Sequence, residues 1–545
     1  MSGLIPQAPR GEAVDLINAI ALRRCDDERH VIRFRQDDEV RVWTLAELDR
    51  KAARVARRLR ALGLRPRDRI GVMSLNHIEF VLLDLAILKL GGVTAGFEAG
   101  RYRPEQIVDI YGLKALFAEG IASGGAFFDI AEIQAWAEGA ETEAAEPPMH
   151  AGYDAADIFA IKFTSGSTGA PKGLEATVAS ANSSINDTQT LFAHRDGDNL
   201  LVFLRLVLLQ QRYWIYSALV YGHDLTLSNL EQALDMASAC APTVVMGVPG
   251  FYEELRGRLL SRHGDSAAAE RGAQIQAALG GRVRYLWTGS APASRDVLEF
   301  FNHAGVPLYE GYGSNEACIV AKNHPGAFRL GSVGQVLPGK SVRFDQDGIL
   351  IVASRHPVNC RYTWCDPGIN EKSFLPSAEV KTWDLGHLDA DGFLYIHGRI
   401  DDIVTVTNGR NVLVRPIEEG LRQHPHIREG VLYGTGKPFV TAILSPDLAA
   451  ADAEALRRHV ATMNQRLFQE ERILAVVIAE EPFSIENGLL SSQFKPKRKL
   501  IYQRYAAQLD EIYARHARTP EAFSEAAAYV RDCRTPQPSL NRDPA

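Results

Sequence analysis

Residues 164–173 read T-S-G-S-T-G-A-P-K-G, a run of hydroxylated residues and glycines ending in Pro171, Lys172 and Gly173. Glycines let consecutive backbone N–H groups turn toward an anion, Ser and Thr hydroxyls add donors, and one Lys brings mobile positive charge. These residue types at this spacing suit a polyphosphate. The pattern is not G-x-x-x-x-G-K-[ST], because Pro171 stands where that motif needs Gly and Gly173 where it needs Ser or Thr. A flexible Gly/Ser linker is the bland alternative, but linkers lack an embedded P-K-G, and the apolar run 158–163 just before it reads as a buried strand. Nucleotide chemistry is the first expectation.

Three further segments carry groups that such chemistry needs. In Y-E-G-Y-G-S-N-E-A, residues 309–317, an aromatic face at Tyr312 beside Gly311 and Gly313 leaves room for a flat base, and the hard carboxylate of Glu316 suits a magnesium ion on phosphate oxygens. In T-W-D-L-G, residues 382–386, Asp384 is a bidentate acceptor suited to a diol. In N-G-L-L-S-S-Q-F-K-P-K-R, residues 487–498, Lys495 is a flexible ammonium able to align an attacking carboxylate with a phosphate. The first and third have ordinary readings, a solvated Tyr-Gly turn and a basic patch of Lys495, Lys497, Arg498 and Lys499, and Gly398-Arg399, further along, reads on its own as a turn with a surface cation.

Together, and in this order, the segments resemble the adenylate-forming superfamily, which includes acyl-CoA synthetases, luciferases and adenylation domains of peptide synthetases. The resemblance covers most of the chain. It implies ATP-dependent activation of a carboxylic acid to acyl-AMP with release of pyrophosphate, then transfer to a thiol, with ATP, Mg²⁺ and coenzyme A as cosubstrates and ions. By position it implies phosphate binding by Thr164, Ser165, Gly166, Ser167, Thr168, Gly169, Lys172 and Asn315. The adenine slot is formed by Gly289, Ser290, Ala291 and Pro292 on one wall and Glu310, Gly311 and Tyr312 on the other. Glu316 binds Mg²⁺ and is catalytic with Lys495, Asp384 and Arg399 hold the ribose, and Asp401 is the hinge. Departures are Asn315 in place of Thr, Trp383 in place of Gly, Pro496 beside the lysine, and no histidine near Leu206 or Val207 where the pocket helix begins.

The resemblance implies coenzyme A as the acceptor thiol, with a carrier protein as the rival, a separate one since no L-G-G-x-S-like attachment segment follows Lys495. A non-catalytic nucleotide-binding homologue is the reading from another class. Arg205 and Arg212 are the odd residues in an apolar stretch; either pairs with a second carboxylate of a dicarboxylic substrate or snorkels at the surface.

The elements that must position these groups follow from periodicity. Residues 44–62 carry apolar positions at helical spacing behind Thr44, with Glu47 at capping-box distance. Strand at 69–74 and helix at 79–90, closed by Gly91 and Gly92, begin an alternation that continues through 200–227, 243–262 and 284–311. The fold class is α/β: a large N-terminal domain with several layered α/β sheets plus a β-rich part after Gly331, and a small α+β C-terminal domain. Boundaries are placed at 1–400, 401–510 and 511–545, the last a helical extension, with 503–530 helical, and a polar tail.

With 545 residues and 46% hydrophobic content, several cores and a globular protein are expected. A net charge of −7 and pI of about 6.1 give no basic footprint for nucleic acid. No apolar stretch spans a membrane, residues 200–209 being interrupted by Arg205, and Asp15 lies in the only apolar run near the start, so a cytoplasmic protein is expected. Six widely spaced cysteines show no zinc or disulfide pattern and are expected to be reduced thiols.

Overall fold

Two mainly parallel sheets face each other across a layer of helices, and the side chains between them form the largest core. The structure, a computed structural model, describes residues 4–5, 14–100, 102–139, 148–164, 172–354, 359–447, 452–491, 494–523 and 528–534. In the first sheet, strands Asn199–Val202, Asp224–Leu227, Val244–Gly247, Tyr285–Thr288 and Leu308–Ser314 run parallel, and the hairpin partner Cys318–Lys322 is antiparallel. In the second, Arg69–Met73, Val93–Gly96, Ala115–Ala118 and Ile158–Thr164 are parallel, and Lys172–Thr177 folds back on Ile158–Thr164.

Helices Ile78–Leu90 and Leu209–Tyr221 lie in the middle layer. The first is apolar nearly all round and buries every residue but Glu79, as a helix between two sheets must. The second buries all but Gln210 and Tyr221. Arg212 is among the buried residues, which settles its role: its guanidinium donates to Asp84 at 2.6 Å, and the same carboxylate accepts from Thr94 at 2.8 Å and from Tyr216. Arg212 neither snorkels nor stands ready for a second substrate carboxylate, because it ties the two central helices together. Arg205 pairs with Glu98 at 3.2 Å.

Helix Leu45–Ala61 starts where its cap signal predicts, with the Thr44 hydroxyl accepting from the Glu47 amide at 3.0 Å. After residue 331 the chain becomes β-rich, and strands Lys340–Phe344, Ile349–Ser354 and Glu379–Leu388 form an antiparallel sheet. Strand Asn359–Thr363 leaves that region to pair with Lys172–Thr177 in the second parallel sheet, setting Thr363 opposite Gly173 and Tyr362 opposite Leu174.

Beyond the short 3₁₀ turn Ile400–Asp402, a hairpin of Ile403–Thr405 with Asn411–Leu413 leads into helix Val414–Leu421. The sheet that follows orders Ile427–Tyr433, Val440–Pro446, Ile473–Ile478 and Tyr529–Asp532. The expected helix over 503–530 is therefore corrected. Helices Arg498–Arg504 and Ala506–Arg518 form, but Tyr529–Asp532 is a strand parallel to Ile473–Ile478, held in place by its ladder bonds rather than by a helical apolar stripe. No helix among the described residues is long and apolar enough to cross a membrane. The described cysteines form no disulfide.

Candidate active site

The carboxyl ends of the parallel strands converge on one cleft, where ligands bind in such sheets. Strand Leu308–Ser314 and its partner Cys318–Lys322 make a hairpin whose turn carries Asn315 and Glu316. The turn needs glycine at 313, since a Cβ there would stand 2.0 Å from the Cys318 carbonyl oxygen. Tyr312, leaving this strand, donates its hydroxyl to Asp384, 72 residues away in sequence. Burial pushes the Asp384 carboxyl pKa up, opposed by the Tyr312 hydrogen bond and by Arg399 and Lys495. Arg399 lies 3.6 Å from Asp384 on the paired strand Leu394–Arg399. The expected base-binding tyrosine and the two expected ribose groups are thus adjacent.

Trp383 occupies its departure from Gly with a φ of +65°, the left-handed conformation a glycine would adopt freely. The Lys381 ammonium lies over its ring at 4.7 Å, and the Thr382 hydroxyl accepts from the Asp384 amide at 3.2 Å. The backbone path that presents Asp384 is kept despite the bulky side chain.

Glu316 accepts a hydrogen bond from the Tyr362 hydroxyl, and the Lys172 ammonium lies 5.6 Å from the centre of the Tyr362 ring. Tyr362 therefore links the expected magnesium carboxylate to the end of the phosphate loop. Sequence reasoning missed it, for nothing in R-Y-T-W marks a strand that changes sheets. Residues 165–171 lie outside the described residues, so Ser165, Gly166, Ser167, Thr168 and Gly169 are not placed; Thr164 ends its strand and Lys172 begins the next. One carboxylate suits Mg²⁺, which takes one or two from protein and completes its shell with phosphate oxygens and water. Among the described residues no group of three or more His, Cys, Asp or Glu could hold a metal by itself.

Lys495 reaches the cleft from the C-terminal part of the chain. Its loop is closed by a bond from the Ser491 amide to the Lys495 carbonyl at 2.8 Å and by the bridge between Leu490 and Pro496. Pro496 thus takes part in the bridge that closes the loop. Phe494, just before it, packs against Gly250 at the start of helix Pro249–His263. Desolvation by surrounding protein lowers the Lys495 pKa, opposed by Asp384 and Asp402, while the side chain keeps contact with water, which moderates the shift. Arg498 joins this loop to the turn expected to act as hinge, donating to Asp402 at 3.1 Å and to both oxygens of Glu418 at 2.6 Å. The Asp401 side chain is outside the described residues; its backbone lies in the turn Ile400–Asp402.

The opposite wall follows strand Tyr285–Thr288 into Gly289, Ser290, Ala291 and Pro292. Glu310, expected at adenine, turns its carboxylate to the Ala293 amide at 3.0 Å and so anchors that wall. Desolvation raises its pKa to about 7, against the Ala293 bond, Arg415 and Lys322. The unfolded chain, with an ordinary Glu pKa near 4.3, releases this proton earlier. Stability therefore falls as pH rises between about 4.5 and 7 and stays lower above, by on the order of 3 kcal/mol. Glu310→Gln keeps the acceptor and should flatten this dependence, read as the melting temperature of both proteins from about pH 5 to pH 8.

The description "AMP-binding enzyme" fits residues 19–350 as a family, and "AMP-binding enzyme C-terminal domain" fits residues 401–517. The chain belongs to the AMP-binding enzyme family. Among the relatives of this AMP-binding enzyme is the long-chain-fatty-acid–CoA ligase FadD15 of Mycobacterium bovis, 28% identical over 90% of this chain and 95% of that one. Its fold is similar to o-succinylbenzoate CoA synthetase from Bacillus subtilis in complex with the acyl-adenylate intermediate, at 21% identity, TM-score 0.71 and coverage of 87% and 95%. It is also similar to ATP-bound MatB from Rhodopseudomonas palustris, at 23% identity, TM-score 0.74 and coverage of 90% and 98%.

Proposed function

We propose that this AMP-binding enzyme is an ATP-dependent acid–CoA ligase that forms acyl-AMP and pyrophosphate and then passes the acyl group to coenzyme A. Its relatives along most of the chain carry CoA-ligase names. The observation that carries the reading is the pairing of Asp384 with Arg399 and Tyr312 in the cleft, within electrostatic reach of Lys495 from the C-terminal part of the chain. In this arrangement Asp384 accepts from the ribose hydroxyls and Tyr312 backs the adenine. Lys172, with the loop 164–169 and Asn315, receives the phosphates. The acid's carboxylate oxygen attacks the α-phosphorus, the bond to the bridging oxygen of pyrophosphate breaks, and Lys495 offsets the charge that develops. Glu316 would hold Mg²⁺, which when bound neutralises phosphate charge. Coenzyme A then displaces AMP through its sulfur, which loses its proton as AMP leaves with the bonding pair.

Acid-dependent ATP–pyrophosphate exchange, followed by mass detection of an acyl-CoA, tests this. Exchange with a thioester is the expected result. Exchange without one would make a separate carrier protein the acceptor, and ATP binding without exchange for any acid would leave a non-catalytic nucleotide-binding protein.

A further inference from the structure

Both walls of the expected adenine slot, Gly289 with Ser290 and Gly311 with Tyr312, line one cleft. They come close, for a Cβ on Gly289 would stand 3.3 Å from the Gly311 carbonyl oxygen. The strands that lead into them, Tyr285–Thr288 and Leu308–Ser314, pair in parallel, and the last pair of that ladder is Thr288 with Glu310. The ladder ends where the walls begin, and there two buried side chains of the hairpin take over.

Lys322, which ends the antiparallel partner strand Cys318–Lys322, donates to the carbonyls of Thr288 at 3.2 Å and Tyr309 at 3.1 Å, one from each parallel strand. Its Nζ also lies 3.7 Å from the centre of the Trp287 ring. Glu310 accepts from the Ala293 amide at 3.0 Å, just past the far end of the first wall. The segment 289–292 is thus tied at both ends to the hairpin that carries Tyr312. Lys322 and Glu310 are both buried, and burial pushes the Lys322 pKa down against the pull of Glu310. As ammonium or amine, the group keeps an N–H for each carbonyl. Lys322 stands opposite Gly311 in the hairpin, where a Cβ would lie 2.4 Å from its Cδ and 2.9 Å from its Nζ. A buried amino group of this kind costs desolvation that an apolar side chain would avoid. What it supplies in return is a fixed separation between two stretches of backbone.

Resting on the acid–CoA ligase reading, we infer that Lys322 and Glu310 are positioning residues of the nucleotide site, which together set the spacing of the two adenine walls. A flat base is gripped well only while the gap matches its thickness, and walls fixed in advance spare the ordering cost on binding. The two residues act on the adenosine part of ATP. The phosphate groups are left to other elements, among them Lys172 at the start of strand Lys172–Thr177.

The test measures, by calorimetry on the full-length protein, the Kd of AMP and the Kd of magnesium pyrophosphate for wild type and Lys322→Met. Lys322→Met should weaken AMP by about 10-fold and leave pyrophosphate within about 2-fold. In steady state the KM for ATP should rise by a similar factor, with kcat at saturating ATP largely kept. Glu310→Leu, which strands the Ala293 amide, should also weaken AMP, and Glu310→Gln, which still accepts from that amide, should restore most of the loss. Unchanged AMP affinity in Lys322→Met, or an equal loss for AMP and pyrophosphate, would overturn the inference and leave the ligase reading standing. Should Lys322→Met not fold, the Glu310 variants decide: equal AMP affinity in both overturns the inference, and rescue by Gln supports it. A wild-type protein that binds neither AMP nor ATP would overturn the ligase reading and this inference with it.

Discussion

Lys495→Ala is expected to lower acid-dependent pyrophosphate exchange by about 10²–10³-fold, the scale on which one preorganised donor to a developing charge acts. ATP binding should change little, because Asp384, Arg399, Tyr312 and Lys172 remain. Conversion of preformed acyl-AMP and coenzyme A to thioester should be far less affected, since the phosphorus is no longer under attack. In the proposed reaction Lys495 serves as a cation, and burial lowers its pKa below the ordinary lysine value. Exchange should therefore fall as pH rises through that lowered pKa, earlier than a free lysine would cause. Lys495→Arg would start from a lower rate, because a planar guanidinium fills the place of a compact ammonium differently, but should lose this alkaline limb. An Ala variant with near wild-type exchange would remove the lysine from the chemistry altogether.

The second large effect concerns the frame. Asp84→Asn leaves the Arg212 guanidinium charged, buried and short of its counterion, with its Nε and Nη2 already lacking partners among the described residues. A loss of about 3–5 kcal/mol is expected, seen as an earlier midpoint of the first transition in urea. Replacing both members together by apolar residues, Asp84→Leu with Arg212→Met, should recover only part of it, because the desolvation cost goes with the charges but the buried Thr94 and Tyr216 hydroxyls lose their acceptor. The pair joins the two helices of the middle layer, one of which presents Gln210, Gln211 and Trp214 to the cleft.

Local signals were legible where one element decides the outcome. The Thr44 cap and the strand–helix alternation needed only nearby residues. Lys495 and Asp384 could be singled out from their own segments, because each lies in a short motif whose residue types suggest chemistry without reference to distant parts of the chain. What could not be read were pairings between distant segments. Tyr362 reaches Glu316 only because a strand from the β-rich part crosses to another sheet, and no local pattern encodes that crossing. Arg212 was misread from sequence because a cation in an apolar run gives no sign of a carboxylate 128 residues earlier. The helix expected over 503–530 overran into Tyr529 and Val530 because the strand that pairs with them is supplied from 473–478.

That last strand also sets where the folding unit ends. The C-terminal family match stops at residue 517, yet Tyr529–Asp532 covers one side of Ile473–Ile478, whose residues are nearly all buried. A chain shortened to the family boundary would bare a row of unpaired amides and carbonyls flanked by Ile, Val and Ala, a template for joining strands of other molecules. Residues 529–532 thus act as a selvedge for the sheet, and a boundary drawn from homology alone would fray it.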